Sequence, residues 1–283
     1  MHMKIYDLNG SVIGEMETPW FFQIPIRKDI IRRAYISSLT ARIQPQGRDP
    51  LAGKRTTAKS WGVGHGVARV PRVKGSGYPE AGVAAFATMT VGGRSAHAPT
   101  VEKRIHEKIN KKERIYAILS ALSATANVTF VSGRGHLVSS IPQIPLIVSN
   151  ELEKVEKSKS FRDIALKLGF WADIERVKEG IRIRAGKGKL RGRRYKIGKG
   201  PLIVVSNIYP LINSVKNFPG LDVVNARDLS VVHLAPGGNP GRLTIFTQSA
   251  IDILNERFSL YKGKHLLYTN IFNYEIKSQT VGG

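Results

Sequence analysis

The sequence predicts an α/β fold: a doubly wound, mostly parallel sheet with helices on both faces, plus one long irregular extended loop and a C-terminal extension. After residue 126, short apolar runs alternate with helical stretches, which is typical of parallel strands covered on both faces. Residues 44–100 show neither a helical nor a strand period, whereas loops of compact domains rarely exceed roughly 12–15 residues. We therefore expect a single α/β globular domain at 1–259, interrupted by the loop at 44–100, with 260–283 as the extension.

The first elements are predicted to be a hairpin and an amphipathic helix. Asn9 and Gly10 separate two extended segments, and Asn-Gly favours the positive φ angles of tight hairpin turns. From Arg27 to Ile43, apolar residues recur at helical spacing while arginines occupy the other faces. The apolar positions are Ile26, Ile30, Ala34 and Tyr35, with Leu39 beyond them. A second helix is predicted to begin near Asn110, because Asn110 and Glu113 have capping-box spacing ahead of an apolar stripe.

Four later apolar runs predict strands. They are residues 128–131, 145–148, 201–205 and 242–246. Helices are predicted between or after these runs. One covers Ser160–Leu168 and is ended by Gly169, and the other covers Gln248–Phe258 after a polar cap at Thr247.

The charge balance restricts the function. The chain has 283 residues, 42% of them hydrophobic, with 44 Lys and Arg against 21 Asp and Glu, a formal net charge of +23. A metabolic enzyme rarely carries such a charge, so we expect a polyanionic partner, either nucleic acid or an anionic membrane surface. The sequence has no run of about 18 apolar residues, no signal-peptide pattern and no cysteine. We therefore expect a cytoplasmic protein without disulfides or thiolate zinc sites.

The long loop combines cations, rings and glycines, which is typical of RNA binding. Its eight cations face only Asp49 and Glu80, so the loop has a net charge of +6. The cations are Arg48, Lys54, Arg55, Lys59, Arg69, Arg72, Lys74 and Arg94. The rings between them are Trp61, His65, Tyr78, Phe86 and His97. Such rings stack on unpaired bases and glycines let the backbone approach phosphates, so we assign RNA binding to these cations, Trp61 and His97. A disordered linker is the alternative.

A second basic cluster lies at residues 181–200 and contains no acidic residue. Its cations are Arg182, Arg184, Lys187, Lys189, Arg191, Arg193, Arg194, Lys196 and Lys199. The run leads directly into the apolar strand at Pro201, so we expect the cluster at the edge of the sheet. There it would form a phosphate-binding rim, and we assign all of its cations except Lys199 to RNA binding. A solvated face or a localisation signal is the alternative.

The sequence shows no sign of catalysis, a cofactor or a metal site. The glycine strings at 62–66 and 92–94 lack the strand, helix and spacing of nucleotide-binding motifs. The turn Pro236–Gly241 has the residues of an anion nest but is read more simply as a tight turn. The seven histidines lack metal-ligand spacing, and no serine lies in a nucleophile elbow. We expect His97 and His136 to bond to RNA or to backbone.

These segments together resemble the universal large-subunit ribosomal protein four family, in its archaeal and eukaryotic type. The resemblance covers roughly residues 4–257 and departs from the family pattern after Phe258. The segments that carry it are the N-terminal strand and turn, Gly53–Thr56, Trp61–Gly77, Gly92–Lys103, the run NKKERIYAILSALSATA, Ala185–Tyr195 and Leu234–Ala250.

The resemblance implies a structural constituent of the large ribosomal subunit. By it, the chain would bind large-subunit ribosomal RNA early in assembly, and its loop would help form the constriction of the peptide exit tunnel. The loop tip would lie within Gly62–Lys74, with Arg69, Arg72 and Lys74 on RNA. The tunnel-proximal residues would be His65, Gly66 and Val67. The partners would be ribosomal RNA, neighbouring large-subunit proteins and the nascent peptide, with no membrane.

Three other classes of protein are alternatives to a ribosomal protein. A free-standing RNA-binding regulator of translation shares the charge pattern and differs in acting outside a ribosome. A nucleotide-dependent enzyme on a Rossmann-like sheet requires the glycine-rich strand-to-helix turn that the sequence lacks. A membrane-surface protein requires a basic helix with a broad apolar face, and neither basic cluster has one.

Overall fold

The computed structural model describes residues 2–262, and the chain divides into two compact units. Of the described residues, one unit contains 2–39 and 108–262, and the other is Thr40–Glu107. The strands and α-helices of the described residues, in chain order, are β1 (His2–Tyr6), β2 (Val12–Glu17), α1 (Lys28–Thr40), β3 (Ala58–Lys59), β4 (Arg72–Val73), α2 (Lys111–Thr125), α3 (Val128–Gly133), β5 (Leu146–Val148), α4 (Ser158–Lys167), α5 (Trp171–Glu179), β6 (Arg182–Ile183), β7 (Tyr195–Lys196), β8 (Leu202–Val205), α6 (Leu211–Val215), β9 (Asp222–Asn225), α7 (Val231–Leu234), β10 (Thr244–Thr247) and α8 (Gln248–Phe258). We call the first unit the body and the second the loop unit.

The body is built on a six-stranded sheet in the order β2-β1-β5-β10-β8-β9. The predicted N-terminal hairpin is present: β1 and β2 pair antiparallel around a turn in which Gly10 has φ +87°. All other neighbours in this sheet pair parallel. The predicted mostly parallel sheet is therefore confirmed.

Successive strand residues point to opposite faces, and each face has its own apolar core. Leu146, Ile203 and Ile245 are buried on the face covered by α4, α5 and α6. Ile147 and Phe246 are buried on the opposite face, with side chains of α1, α2 and α8. Fully buried Leu, Ile and Phe side chains each contribute about 1.5–3 kcal/mol. These two cores confirm the predicted doubly wound arrangement with helices on both faces.

The prediction of a strand at residues 128–131 is wrong, because these residues form the short helix α3. The side-chain oxygen of Asn127 accepts hydrogen bonds from the backbone N–H of Thr129 at 3.0 Å and from its hydroxyl at 2.5 Å. This is N-cap geometry, which favours a helix start over an extended run. The strand β9 was not predicted, because Asp222 and Asn225 leave only two apolar residues between them.

Other helices form where predicted, with different details at their ends. Asn110 precedes α2 without a side-chain cap bond, and Glu113 instead pairs with Arg33 at 3.3 Å. The hydroxyl of Thr247 precedes α8 but donates to Glu153 at 2.7 Å and does not cap the helix. The helix α1 ends at Thr40, before the predicted end, and its buried side chains are Ile31, Ala34 and Ser37.

The loop unit, Thr40–Glu107, is largely irregular apart from the two-residue pair of β3 and β4. Its backbone segments cross closely at Gly53 and Gly93. A Cβ atom on Gly53 would lie 2.5 Å from the carbonyl carbon of Gly93, and one on Gly93 would lie 1.9 Å from the carbonyl oxygen of Ala87. Only glycine fits both positions, so this crossing determines the path of the loop.

The predicted domain limits at 44, 100 and 259 stay predictions. The predicted C-terminal extension falls almost entirely at 263–283, outside the described residues. Over residues 2–262, every helix is too short or too polar to cross a membrane.

Candidate nucleic-acid interface

The second basic cluster forms a hairpin of its own, which we call the basic hairpin (residues 182–196). Strands β6 and β7 pair antiparallel, with Arg182 opposite Lys196, and a 3-10 turn at Lys187–Arg191 joins them. The prediction that this cluster lies at the edge of the main sheet is wrong. The strand that follows it, β8, lies between β10 and β9, so the cations lie on a separate two-stranded ribbon.

Most cations of the basic hairpin are exposed. The exposed ones are Arg182, Lys187, Lys189, Arg191, Arg193, Arg194 and Lys196. Arg184 is half-buried, and its guanidinium donates to the backbone oxygens of Arg193 at 3.0 Å and Tyr195 at 3.4 Å. Arg184 therefore braces the hairpin, while the others point their charges outward.

A buried arginine ties the end of this segment to the body. The Arg242 side chain is 1% exposed and donates to the backbone oxygens of Gly200 at 2.8 Å and His233 at 3.0 Å. It also contacts a carboxylate oxygen of Asp222 at 2.7 Å, and Lys199 reaches the same oxygen at 2.9 Å. Burial raises the pKa of Asp222, but these two cations outweigh it and hold that pKa below its ordinary value.

The loop cations of the other unit are also largely exposed. The exposed predicted residues are Arg48, Lys54, Arg55, Lys59, Trp61, Arg69, Lys74 and His97, whereas Arg72 and Arg94 are half-buried. Near the glycine crossing, Arg55 pairs with Asp49 at 2.7 Å. Lys59 in β3 stands opposite Arg72 in β4, so two of the predicted cations lie side by side.

Trp61 contacts two other predicted residues near the end of this loop. Its ring lies 5.2 Å from the Arg72 guanidinium and 5.9 Å from the His65 ring, yet the residue is 49% exposed. Arg72 in turn donates to the backbone oxygen of Gly82 at 2.9 Å. A cation stacked on an indole presents charge and an aromatic surface together, which suits both phosphate and base contacts.

The predicted tip is the exposed connection between β3 and β4. Gly62, Gly64 and Gly66 all have positive φ angles, between +65° and +90°, and a Cβ on any of them would meet nothing within 4 Å. These glycines are therefore required by backbone conformation and not by crowding. The tip residues His65, Gly66 and Val67 are all exposed.

The structure therefore divides the predicted RNA-binding residues into one group on the body and one in the loop unit. Three cations that sequence reasoning missed, Lys28, Arg134 and Arg176, line a cleft of the body beside Lys196. They come from distant segments, so no local pattern revealed them. The expected role of His136 on RNA or backbone is wrong: its ring is buried, with Nδ1 2.8 Å from the Asp173 carboxylate.

One carboxylate fills the position where doubly wound sheets commonly hold a ligand, the crevice at the carboxyl ends of the strands. Glu153 follows β5, and it accepts five hydrogen bonds from residues that end or follow β8 and β10. The donors are the Ser206 N–H at 2.9 Å, the Ser206 hydroxyl at 2.6 Å, the Asn207 N–H at 3.2 Å, the Thr247 hydroxyl at 2.7 Å and the Ser249 hydroxyl at 2.9 Å. Burial raises the pKa of Glu153, but these bonds outweigh it and leave that pKa below its ordinary value.

The substitution Glu153→Gln is expected to lower the free energy of unfolding by about 1–2 kcal/mol at neutral pH, because an amide accepts fewer of these bonds. A carboxylate whose pKa is lowered by folding stabilises the fold above its unfolded pKa, and this contribution is lost as the pH falls through the folded pKa. The difference between wild type and variant should therefore disappear in acid. Denaturant titration at several pH values measures it, with the exposed Glu156→Gln as control. A difference that persists at low pH would contradict this account.

Among the described residues, no cluster of three or more His, Cys, Asp or Glu side chains is arranged to hold a metal ion. The chemistry that the exposed groups offer is anion binding. The model of the ribosomal protein L4/L1 family matches residues 17–257.

The chain belongs to the ribosomal protein L4/L1 family.

Relatives in this family are similar over almost their whole length. The chain is 55% identical over 255 residues to the large ribosomal subunit protein uL4 of Sulfurisphaera tokodaii. The aligned residues cover 90% of this chain and 94% of that protein. The chain is 50% identical over 257 residues to the protein of the same name from Methanopyrus kandleri, with 91% and 99% covered. The family resemblance predicted from the sequence is confirmed, and the matched range contains both the loop unit and the basic hairpin of this L4/L1 family member.

Proposed function

We propose that this chain is a structural constituent of the large ribosomal subunit, where it binds large-subunit ribosomal RNA and supports assembly of the subunit. The observation that supports this most directly is the basic hairpin, with seven exposed cations and no acidic residue between 181 and 200. Relatives that are about half identical are named as large-subunit proteins. Neighbouring large-subunit proteins are the further partners in this proposal.

The physical basis of the binding is release of counterions from RNA. Each cation that neutralises a phosphate displaces condensed counterions, so affinity falls steeply with salt. Phosphate contacts position a protein without reading sequence, so specificity has to come from RNA shape and from stacked bases. Trp61 and Arg72, stacked on each other, supply both kinds of contact in the loop.

We further propose that the loop tip helps form the constriction of the peptide exit tunnel and contacts the nascent peptide there. The tip supports this role because His65, Gly66 and Val67 are exposed on a glycine-rich connection. Gly62, Gly64 and Gly66 add no side chains here, which keeps this connection narrow, as a segment threaded through RNA requires.

The proposed role involves no catalysis. In support, the crevice at the carboxyl ends of the strands is filled by the Glu153 carboxylate and its five donors. A ligand at that position would have to displace all of these bonds, each of which contributes about 1.5–3 kcal/mol because it involves a charged acceptor.

The function is tested by fractionating native lysate on a sucrose gradient and mapping RNA crosslinks by mass spectrometry. We expect the chain in the large-subunit fraction, with adducts on peptides from 44–100 and 182–196. Peptides of α4, which lies outside both 44–100 and 182–196, serve as the internal control. A chain found only in light fractions would contradict the ribosomal role, and adducts retained there would indicate a free-standing regulator.

A further inference from the structure

The body contains a basic cleft of about 1100 Å³ that shares only Lys196 with the basic hairpin. Its walls come from α1, from α3 and the residue after it, from α5, from the end of the basic hairpin segment and from the turn at 236–240. The side chains that matter for its chemistry are Lys28, Tyr35, Arg134, Arg176, Lys196 and Lys199. Five of these six are cations, and the lining contains no carboxylate.

The deeper cations are held in place by groups behind the lining. Arg176 donates to the Asp173 carboxylate at 2.9 Å, and Asp173 is fully buried. Arg134 donates to the backbone oxygen of Pro236 at 2.7 Å and to that of Asn239. Burial, and the charge of Arg242, lower the pKa of Arg134 to about 10, so its guanidinium stays charged at neutral pH. The site is therefore positively charged before any ligand arrives.

The cleft also offers aromatic surface. Lys28 places its ammonium 5.0 Å from the centre of the Phe130 ring, which covers one face of that ring. Tyr35 is half-buried and lines the cleft beside the turn. In that turn Gly237 has φ +80°, and a Cβ added to it would meet nothing within 4 Å. The glycine therefore adds no side chain to the rim of the cleft and leaves the backbone accessible.

We propose that this cleft binds a short single-stranded segment of RNA, with phosphates on Lys28, Lys196 and Arg176 and one unpaired base against Tyr35. The inference rests on the proposed RNA-binding function and adds a second site with a different RNA class. A recess lined by cations and a ring is the arrangement that single strands use, because splayed bases can enter it. In a duplex the bases are stacked inside, so only its phosphates would reach the rim.

The test uses the full chain and two labelled RNAs, an oligouridylate and a duplex of the same length. The variant Lys28→Gln with Tyr35→Leu removes one cation and the ring, and neither residue belongs to the basic hairpin. We expect affinity for the oligouridylate to fall about tenfold, the loss of a single stacked base and one phosphate contact. Affinity for the duplex should fall by a smaller factor, because the duplex would lose a phosphate contact but no stacked base.

The control variant is Lys159→Gln with Tyr209→Leu, which removes the same two residue types from exposed positions outside the cleft. It should leave both affinities unchanged. On the wild-type chain, an oligonucleotide containing 4-thiouridine should crosslink to the peptide that carries Tyr35. This second measurement decides the question if the double variant does not fold.

Three other outcomes would contradict the proposal. Equal losses on single strand and duplex, or competition by uridine monophosphate as strong as by the oligonucleotide, would overturn the single-strand assignment. Unchanged oligouridylate affinity together with no Tyr35 crosslink would overturn the cleft while leaving RNA binding through the hairpin intact. Binding of neither RNA by the wild-type chain would overturn the proposed function itself.

Discussion

Replacing Arg242 by methionine is expected to lower the free energy of unfolding by about 3–5 kcal/mol, because several buried backbone oxygens and Asp222 lose a charged donor. Methionine keeps much of the volume but none of the donors. The backbone oxygens of Gly200, His233, Pro201 and Gly220 would lose their hydrogen bonds, at 2.8–3.3 Å in the native structure. Such a loss is a large part of the total stability of a typical domain.

Guanidinium denaturation of the full chain, followed by circular dichroism, measures this effect. The control is Arg33→Met, which breaks an ion pair whose side chains are 65% and 36% exposed and should cost less than about 1 kcal/mol. Arg242→Lys should give an intermediate result, because an ammonium reaches Asp222 but cannot satisfy the carbonyls on both sides. Equal midpoints for Arg242→Met and wild type would show that these bonds contribute no net stability.

The sequence predicted the parts of the fold that depend on local pattern. The apolar runs at 145–148 and 201–205 became β5 and β8, because buried parallel strands require continuous apolar side chains. The run at 128–131 is also mostly apolar but follows Asn127, whose cap bond favours a helix. Arg242 looked like the polar start of a strand, because its partners lie 9–42 residues away and leave no local signal.

The candidate nucleic-acid interface was likewise predictable only where it depends on local sequence pattern. Composition identified the cations and rings of the loop, because exposed charge without acidic neighbours is visible in the sequence alone. The stacking of Trp61 on Arg72 was not predictable, since it depends on the pairing of β3 with β4. The basic hairpin was predicted at the sheet edge because chain neighbours were assumed to be sheet neighbours. The basic cleft was not predictable, because its walls come from segments that lie far apart in the chain.

Neutralising four cations of the basic hairpin is expected to produce the largest loss of RNA affinity. The variant carries Lys187→Gln, Lys189→Gln, Arg191→Gln and Arg193→Gln, all exposed positions, and retains Arg184, which braces the hairpin. Each phosphate contact contributes about 0.9 to the slope of log affinity against log salt, so the slope should fall by about 3–4. At moderate salt this corresponds to an affinity loss on the order of a hundredfold or more.

Filter binding of a large-subunit ribosomal RNA transcript across a salt series measures both quantities. The matched control replaces four exposed lysines elsewhere on the body by glutamine: Lys157, Lys159, Lys178 and Lys216. Both variants lose the same net charge, so the comparison separates direct phosphate contacts from the general field of the protein. Equal slopes for the two variants would mean that the charge acts diffusely. A smaller slope for the hairpin variant alone means that this ribbon lies on the RNA backbone, because only released counterions change the slope.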